Sequence, residues 1–234
     1  MKDFQFQKFS IQQSSDVFRV GTDAVLLGSL SNIHQAKRIL EVGTGTGIIS
    51  LMLAQRNQDA NILAIDINSE AVKISQNNFS NSPFSERIKS QLQDFKRFET
   101  EEKFDLIISN PPYFEINSSE KDILARQRLE LDFSDLIQKA SQLLSDEGLF
   151  SVIIPIDSDK QFTQICRENN LFLKRKVIIK GIETAEPKRG VLEYSFQQSE
   201  TKEENFVIEK SPRVYSDEYL ELTKDFHIFN KKAL

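Results

Sequence analysis

A strand that breaks into three closely spaced glycines constrains the fold of this 234-residue chain more than any other feature. The segment Arg38-Ile-Leu-Glu-Val-Gly43-Thr-Gly45-Thr-Gly47 begins as an apolar run, and residues 48–54 continue with apolar side chains at helical spacing. The glycine spacing differs from the dinucleotide pattern Gly-x-Gly-x-x-Gly, and the segment lacks the Lys-Ser/Thr of a phosphate loop. Glycines let a backbone approach a ligand closely, and a helix N-terminus presents N–H groups to a carboxylate or phosphate. The segment therefore predicts a ligand-binding strand, turn and helix.

Two further apolar runs end in carboxylates. The strand predicted at Asn61-Ile-Leu-Ala-Ile-Asp66 ends roughly twenty residues after the glycines, the position from which an acidic residue binds ribose hydroxyls. Alternatively, Asp66 caps the helix predicted over residues 69–78. A third strand, Ile88-Lys-Ser-Gln-Leu-Gln-Asp94-Phe95, places a carboxylate and a ring where they suit the amino group and the face of adenine. Taken alone, Asp94 is more often a turn residue.

The segment Asp105-Leu-Ile-Ile-Ser-Asn-Pro-Pro-Tyr113 predicts a buried strand that opens onto a rigid site. Pro111 keeps Asn110 out of the helical region, and the second ring, Pro112, fixes the backbone that follows. The Asn110 side-chain oxygen and the Pro111 carbonyl can accept hydrogen bonds from one NH2 group, while Tyr113 offers a face for stacking. The segment predicts a site that holds an amino group; the alternative is a simple turn with a packed tyrosine.

Composition narrows the possible classes of protein. The chain is 39% apolar and 28% charged, which is ordinary for a globular protein. It has no apolar run near the roughly 20 residues of a membrane span and no signal-peptide core, so we expect a cytoplasmic protein without a membrane partner. One cysteine, Cys166, and two histidines do not favour a metal site. The net charge of −5 argues against a large nucleic-acid footprint but allows local basic patches.

The two ends of the chain carry weaker signals. Phe4, Phe6 and Phe9 alternate with polar residues and predict a short strand or extended arm. Thr22 or Asp23 is placed to cap a helix, which is either an ordinary amphipathic helix or a lid over the ligand. From residue 171 the pattern becomes β, with strands over 173–180 and 191–197, a short strand over 205–210 and a capped terminal helix at 216–224.

Two groups of basic residues are candidates for binding substrate phosphates, or are ordinary solvated charges. One group follows the Asn-Pro-Pro-Tyr segment and the other surrounds the C-terminal hairpin. They are Arg126, Arg128, Lys174, Arg175, Lys176, Lys188 and Arg189.

Together, Glu41-Val-Gly-Thr-Gly-Thr-Gly47, Asp66, Asp94 and Asn110-Pro-Pro-Tyr113 resemble the class I, Rossmann-like S-adenosylmethionine-dependent methyltransferases that act on amino nitrogens. The resemblance implies an α/β fold with a seven-stranded, mostly parallel sheet, one antiparallel strand and helices on both faces. One domain would span residues 1–234, with an N-terminal arm and lid helix (1–35), a cofactor-binding core (36–170) and a C-terminal hairpin, strand and helix (171–230).

The same resemblance implies roles for individual residues. The loop at residues 43–47, called the glycine loop below, would contact the methionine portion of S-adenosylmethionine, Asp66 the ribose and Asp94 the adenine. The implied cofactor-binding residues are Thr22, Asp23, Glu41, Gly43, Thr44, Gly45, Gly47, Asp66, Ile67, Asp94, Phe95 and Asn110. The implied catalytic residues are Asn110, Pro111, Pro112 and Tyr113.

A closer resemblance covers nearly the whole chain and is to the bacterial tRNA1(Val) adenine-N6 methyltransferases. It is carried by residues 4–9, Phe18-Arg-Val-Gly-Thr-Asp-Ala-Val-Leu-Leu-Gly28, residues 82–88 and 109–113, and Tyr215-Ser-Asp-Glu-Tyr-Leu-Glu-Leu-Thr223. It implies methylation of adenine 37 in tRNA, with tRNA as partner, and the sequence leaves open whether the protein is a monomer or a homodimer. Alternatives are a glutamine-N5 protein methyltransferase, another nucleic-acid amino methyltransferase, a nicotinamide oxidoreductase using the glycine loop and Asp66, or a non-catalytic RNA-binding module.

Overall fold

The central feature of the computed structural model is a nine-stranded sheet, and the model describes residues 3–14, 17, 20–33, 35–111 and 132–228. The strands are β1 (Phe4–Gln5), β2 (Ser10–Ile11), β3 (Arg38–Val42), β4 (Asn61–Asp66), β5 (Ile88–Leu92), β6 (Phe104–Ser109), β7 (Leu144–Pro155), β8 (Phe172–Ile182), β9 (Arg189–Ser195), β10 (Lys202–Ser211) and β11 (Val214–Tyr215). The helices are α1 (Thr22–Leu30), α2 (Ile48–Arg56), α3 (Ser69–Ser80), α4 (Phe133–Leu143), α5 (Asp159–Glu168) and α6 (Asp217–Thr223).

The order of the large sheet is β11-β10-β8-β9-β7-β6-β3-β4-β5. Its part from β8 to β5 has the predicted seven strands, with β9 antiparallel to both β7 and β8. The predicted strand count is nevertheless too low. The strand expected over 205–210 is the longer β10, which pairs in parallel with β8, and β11 turns back antiparallel to β10. Phe206 of β10 is buried in the same core as Tyr219 of α6, and this burial stabilises the added strand.

Both faces of the sheet are covered, because consecutive side chains of a strand point to opposite faces. In β3, Ile39 belongs to a core with α1, α2 and Phe79 of α3, whereas Leu40 belongs to a second core with α4 and α5. The continuous apolar runs of β3 and β6 are therefore buried on both sides, as expected for inner parallel strands. The α/β, Rossmann-like prediction is confirmed.

The carboxyl ends of four neighbouring parallel strands, β6, β3, β4 and β5, lie side by side. Val42, the last residue of β3, is opposite Ile65 of β4 and Ser109 of β6, and Asp66 is opposite Leu92 of β5. The chain runs from β3 outward to β5 and then returns to place β6 on the other side of β3. The point where the strand order reverses lies between β3 and β6, and ligands of open α/β sheets bind at this point.

Where one short strand or an extended arm was predicted, the N-terminal segment forms two short strands: β1 and β2 pair antiparallel, and Phe6 bridges to His227. The predicted capping of α1 is wrong. Gly21 is the N-cap residue without a side-chain hydrogen bond, and Thr22 is already helical. Ser216 caps α6 as predicted, accepting a hydrogen bond from the backbone N–H of Tyr219. No helix among the residues that the structure describes is long and apolar enough to span a membrane.

Candidate cofactor and target site

The glycine loop needs its glycines for two reasons. Gly43, Gly45 and Gly47 have φ angles of 76°, 55° and 83°, a region that residues with a Cβ rarely adopt. A Cβ on Gly47 would also lie 2.8 Å from Cζ of Phe79, so α3 packs directly against the loop. A Cβ on Gly43 would meet nothing within 4 Å. One side of the loop is therefore closed by packing, and the side at Gly43 has room for a ligand.

Most backbone N–H groups of the glycine loop donate hydrogen bonds to acceptors within the chain. The N–H groups of Gly43 and Thr44 donate to the Ile65 carbonyl at 2.9 and 3.0 Å. The N–H of Gly45 donates to Oδ2 of Asp66 at 2.9 Å. These three N–H groups are therefore not free to bind a ligand, because residues of β4 already accept their hydrogen bonds.

The buried carboxylate of Glu41 lies at the N-terminus of α2. Its Oε2 accepts hydrogen bonds from Thr44 Oγ1 at 2.9 Å, from Ser50 N at 3.1 Å and from Ser50 Oγ. Its Oε1 has no partner among the described residues, and burial raises the pKa of Glu41 to about 7. A carboxylate is favoured at the positive end of a helix. The sequence predicts that the N-terminus of α2 presents N–H groups to a carboxylate or phosphate. At the N–H of Ser50 the acceptor is instead the protein's own Glu41 side chain.

Asp66 connects β4 with the glycine loop. Besides the bond from Gly45, its Oδ1 accepts a hydrogen bond from the N–H of Asn68 at 2.9 Å. Asn68, not Asp66, caps α3 by accepting from the N–H of Glu70 at 2.9 Å. The capping alternative for Asp66 is therefore wrong. A carboxylate has about four acceptor sites, so these two bonds leave capacity for ligand hydroxyls.

The residues expected around an adenine differ in accessibility. Asp94 accepts a hydrogen bond from Lys96 N at 3.0 Å and begins a short 3-10 helix, which is the turn role considered above. Phe95 is only 4% exposed and packs into the core, so little of its ring is available to a ligand. Ile67, directly after Asp66, is 61% exposed and presents an apolar surface at this edge of the sheet.

The segment predicted to hold an amino group begins at the same carboxyl edge of the sheet. Ser109 ends β6 opposite Val42, and its hydroxyl donates to the Val42 carbonyl at 2.9 Å. The residues that follow these two strand ends are Asn110, which is half-buried, and Gly43 of the glycine loop. Pro111 is buried. Pro112 and Tyr113 lie outside the described residues. The structure thus brings Asn110 beside the strand end from which the glycine loop starts.

Two residues that we did not predict also reach the loop. The Asn78 side-chain Nδ2 in α3 donates to the Thr46 carbonyl at 2.9 Å. Val17 lies over Gly45, since its Cγ1 is 3.9 Å from a Cβ built there. Neither position carries a local sequence signal, because only the fold brings them to the loop. Of the predicted lid residues, Thr22 is exposed at the start of α1, and Asp23 pairs with Arg189 at 2.9 Å.

The predicted basic residues do not form one cluster. Arg189 lies opposite Ile179, four residues or roughly 13 Å along β8 from Arg175. Arg175 pairs with Glu204 at 2.7 Å and with Glu193 at 3.6 Å.

Of the other basic residues, Lys176 pairs with Asp159, Lys174 lies in β8 beside Arg175, and Lys188 directly precedes Arg189. Of the predicted basic residues that the structure describes, Lys188 and Arg189 therefore lie at the sheet edge that carries Asn110. Arg126 and Arg128 lie outside the described residues.

The described parts of the chain contain no group of three His, Cys, Asp or Glu side chains that could hold a metal ion. Cys166 is fully buried in α5, and burial raises the pKa of its thiol. A thiol with a raised pKa is a poor nucleophile, so Cys166 contributes to packing.

Comparisons with known proteins agree with this geometry. A family model described as methyltransferase small domain matches residues 11–172. A protein of Flavobacteriaceae bacterium strain 3519-10, named tRNA1(Val) (adenine(37)-N6)-methyltransferase, is 53% identical over 230 residues, which are 98% of this chain and 100% of that protein. A protein of the same name from Phocaeicola vulgatus is 40% identical over 228 residues, 96% of this chain and 97% of its own length.

Solved structures show the same fold at low sequence identity. A protein described as a predicted O-methyltransferase from Agrobacterium tumefaciens has a TM-score of 0.66 at 19% identity and covers 87% of this chain and 96% of its own. The ribosomal protein L11 methylase of Lactobacillus delbrueckii subsp. bulgaricus has a TM-score of 0.57 at 20% identity, covering 78% and 82%. The chain therefore belongs to the methyltransferase small-domain family and, within it, to the family whose members are named tRNA1(Val) (adenine(37)-N6)-methyltransferase.

Proposed function

We propose that this protein transfers a methyl group from S-adenosylmethionine to the N6 amino group of an adenine in tRNA, adenine 37 next to the anticodon of tRNA1(Val). The observation that carries the proposal is the alignment of Val42 and Ser109 at neighbouring strand ends. This alignment places the start of the glycine loop beside Asn110. A donor held at the loop and an amino group held at Asn110 would meet at the reversal point of the sheet.

The residues at this edge fit S-adenosylmethionine. The open side of Gly43 accommodates a close ligand, the remaining acceptor capacity of Asp66 suits a ribose diol, and the exposed side chain of Ile67 offers an apolar contact. Asp94, the residue expected to contact the adenine, has a further carboxylate oxygen that can accept a hydrogen bond from the adenine amino group. When bound, S-adenosylmethionine would supply a methyl group on a positively charged sulfur: the nitrogen would bond to the methyl carbon as the carbon–sulfur bond breaks, and neutral S-adenosylhomocysteine would leave.

Asn110 and Pro111 would prepare that nitrogen. The lone pair of an adenine amino group is delocalised into the ring, which makes it a weak nucleophile. Hydrogen bonds from its two N–H groups to the Asn110 side-chain oxygen and the Pro111 carbonyl favour a more tetrahedral nitrogen and stabilise the positive charge that develops there. Orientation supplies much of the remaining rate, so no histidine base is needed and the proton leaves to water.

The described residues best suited to contact tRNA phosphates lie at the same carboxyl edge of the sheet. Lys188 is exposed there. It directly precedes Arg189, which forms an ion pair with Asp23. Because the chain is acidic overall, the phosphate contacts must come from such local basic residues. Arg126 and Arg128, close in sequence to the Asn-Pro-Pro-Tyr segment, remain further candidates for this contact.

A transfer assay with three acceptors tests the proposal. Purified protein is incubated with methyl-labelled S-adenosylmethionine and bulk tRNA, double-stranded DNA or a translation release factor. We expect label in tRNA and very little in DNA or protein. Label that enters only the release factor would identify a glutamine methyltransferase and overturn the proposal, as would label that enters only DNA.

A further inference from the structure

The side chain of Asn78 joins two segments that are distant in sequence. In α3 it is 3% exposed, and its Nδ2 donates to the Thr46 carbonyl at 2.9 Å and to the Gln12 carbonyl at 3.2 Å. Its Oδ1 accepts from the Gln12 N–H at 2.8 Å. A buried amide is costly unless its hydrogen bonds are made, and here all three are made to backbone atoms. Removing the side chain would leave the buried carbonyl of Thr46 and the partly buried backbone groups of Gln12 without these partners.

One of the two segments is the glycine loop. Three of its five residues are glycines with positive φ angles, and because glycine restricts the backbone least, the shape of the loop depends on bonds and packing from outside. Two consecutive residues of α3 provide this support, because Asn78 binds the Thr46 carbonyl and Phe79 packs against Gly47. The loop is thus held from α3 as well as from β4.

The other segment is the N-terminal part of the chain, residues 3–23, of which 3–14, 17 and 20–23 are described; its described residues contact elements on both sides of the candidate site. At α3, Gln12 accepts a further hydrogen bond from Asn77 Nδ2 at 2.6 Å. At the glycine loop, Val17 lies over Gly45 and is 7% exposed. On the far side of the point between β3 and β6 where the strand order reverses, Asp23 forms an ion pair with Arg189 at the start of β9. The described contacts of this segment therefore extend across the edge at which the cofactor is proposed to bind.

We infer that Asn78 is a positioning residue for the cofactor: it fixes the glycine loop and fastens the N-terminal segment against that loop. The inference rests on the proposed function only in taking the glycine loop as the cofactor site. Asn78 lies in α3, behind the loop, and has no described contact with Asn110. Its removal should therefore change the Kd and KM for the cofactor, while the KM for tRNA and the kcat at saturating cofactor change little.

Two substitutions test this inference. Asn78→Ala removes all three bonds, and Asn78→Asp keeps an oxygen for the Gln12 N–H but loses both donated bonds. The Kd of S-adenosylhomocysteine is measured by calorimetry at a temperature where circular dichroism shows every variant folded, and the KM of S-adenosylmethionine is measured with tRNA. For both variants we expect a Kd and a KM raised about tenfold or more, because the glycine loop loses the hydrogen bond that fixes Thr46 and the N-terminal segment is no longer fastened to α3 by this side chain.

A matched control separates this effect from a general loss of stability. Asn169→Ala removes a half-buried amide that donates to the Ile165 carbonyl at 2.9 Å in another helix, away from the loop. It should lower the denaturant midpoint while the Kd of S-adenosylhomocysteine stays at the wild-type value. An unchanged Kd in folded Asn78→Ala, or an equal change in Asn169→Ala, would overturn the inference.

A variant in the N-terminal segment keeps the test decisive if neither Asn78 variant folds. Val17→Ala removes packing over Gly45 and leaves the sheet and its helices intact, so we expect a Kd raised several-fold. An unchanged Kd in this variant would then count against the inference. Wild-type protein that binds no S-adenosylhomocysteine would instead contradict the proposed function, so the two failures are distinguishable.

Discussion

The carboxylate of Asp66 accepts a 2.9 Å hydrogen bond from the backbone N–H of Gly45, so the acid that ends β4 also holds the loop that follows β3. This bond makes the proposed ribose ligand and the proposed methionine contact one structural unit. A change at Asp66 should therefore affect the cofactor twice, through the lost hydroxyl contacts and through a less ordered loop.

We expect Asp66→Ala to weaken S-adenosylhomocysteine binding about 10- to 100-fold, since hydrogen bonds to a charged group are worth roughly 1.5–3 kcal/mol. Asp66→Asn should have a smaller effect, because one acceptor oxygen remains for Gly45. Calorimetric titration measures both values. Asp59→Ala, which removes an exposed carboxylate before β4, controls for the change in charge. A wild-type Kd for Asp66→Ala would rule out the assignment of Asp66 to the cofactor.

The packing of α3 against the glycine loop gives a stability prediction. Gly47→Ala places a methyl group against Phe79 and Ser75 at a φ of 83°, and we expect the free energy of unfolding to fall by about 2–3 kcal/mol or more. Gly181→Ala is the matched control, since a Cβ there meets nothing within 4 Å, and its effect should stay within about 1 kcal/mol. Urea unfolding at constant pH compares the two, and similar midpoints would contradict the loop geometry.

Glu41 should make stability depend on pH. Burial raises its pKa from 4.5 to about 7, so the folded state binds a proton more tightly than the unfolded state. The resulting stabilisation is fully present below pH 4.5 and is lost as the pH rises through about 7.

Glu41→Gln has no such proton to lose. Between pH 5 and pH 8 we expect the wild type to lose about 2–3 kcal/mol of unfolding free energy relative to this variant, since one pKa unit corresponds to about 1.4 kcal/mol. Urea unfolding at both pH values, with exposed Glu101→Gln as control, measures the difference. Parallel pH profiles for wild type and Glu41→Gln would show that Glu41 titrates normally.

The parts of the fold that could be predicted are those with a local pattern. The apolar runs of β3 and β6 and the glycines after Val42 carry their own signals, because burial on both faces and positive φ angles restrict the residue types. The same holds for Asp66 at the end of its strand. These local patterns were sufficient to place the candidate site at the carboxyl edge of the sheet.

Other features depend on contacts between distant residues and could not be read from local patterns. Glu41 reaches Ser50 only because the glycine loop folds back, and Asn78 reaches Thr46 only through the packing of α3 on that loop. Arg175 pairs with Glu204 because β10 adds to the sheet beside β8. β11 is only two residues long, which is too short for any periodic signal, and it follows a turn in which Arg213 has a φ of 68°.

Asn110 should separate binding of the donor from transfer of the methyl group. Asn110→Ala removes the side-chain acceptor proposed for the amino group, and we expect kcat to fall about 100- to 1,000-fold, as for loss of one transition-state hydrogen bond in other enzymes. The Kd of S-adenosylhomocysteine should stay within about threefold of wild type, a change of less than about 0.7 kcal/mol. Calorimetry and single-turnover kinetics give the two values. Loss of cofactor binding in this variant would move Asn110 from the target to the cofactor.

The most direct measurement is the identity and position of the methylated nucleoside. tRNA that lacks the modification is incubated with the wild-type protein and S-adenosylmethionine carrying a deuterated methyl group, then digested and mapped by mass spectrometry, with Asn110→Ala as the low-activity control. We expect deuterated N6-methyladenosine at adenine 37 of tRNA1(Val), formed at least about 100-fold more slowly by the variant. Deuterium in another nucleoside, at another position, or only in protein would contradict the proposed function.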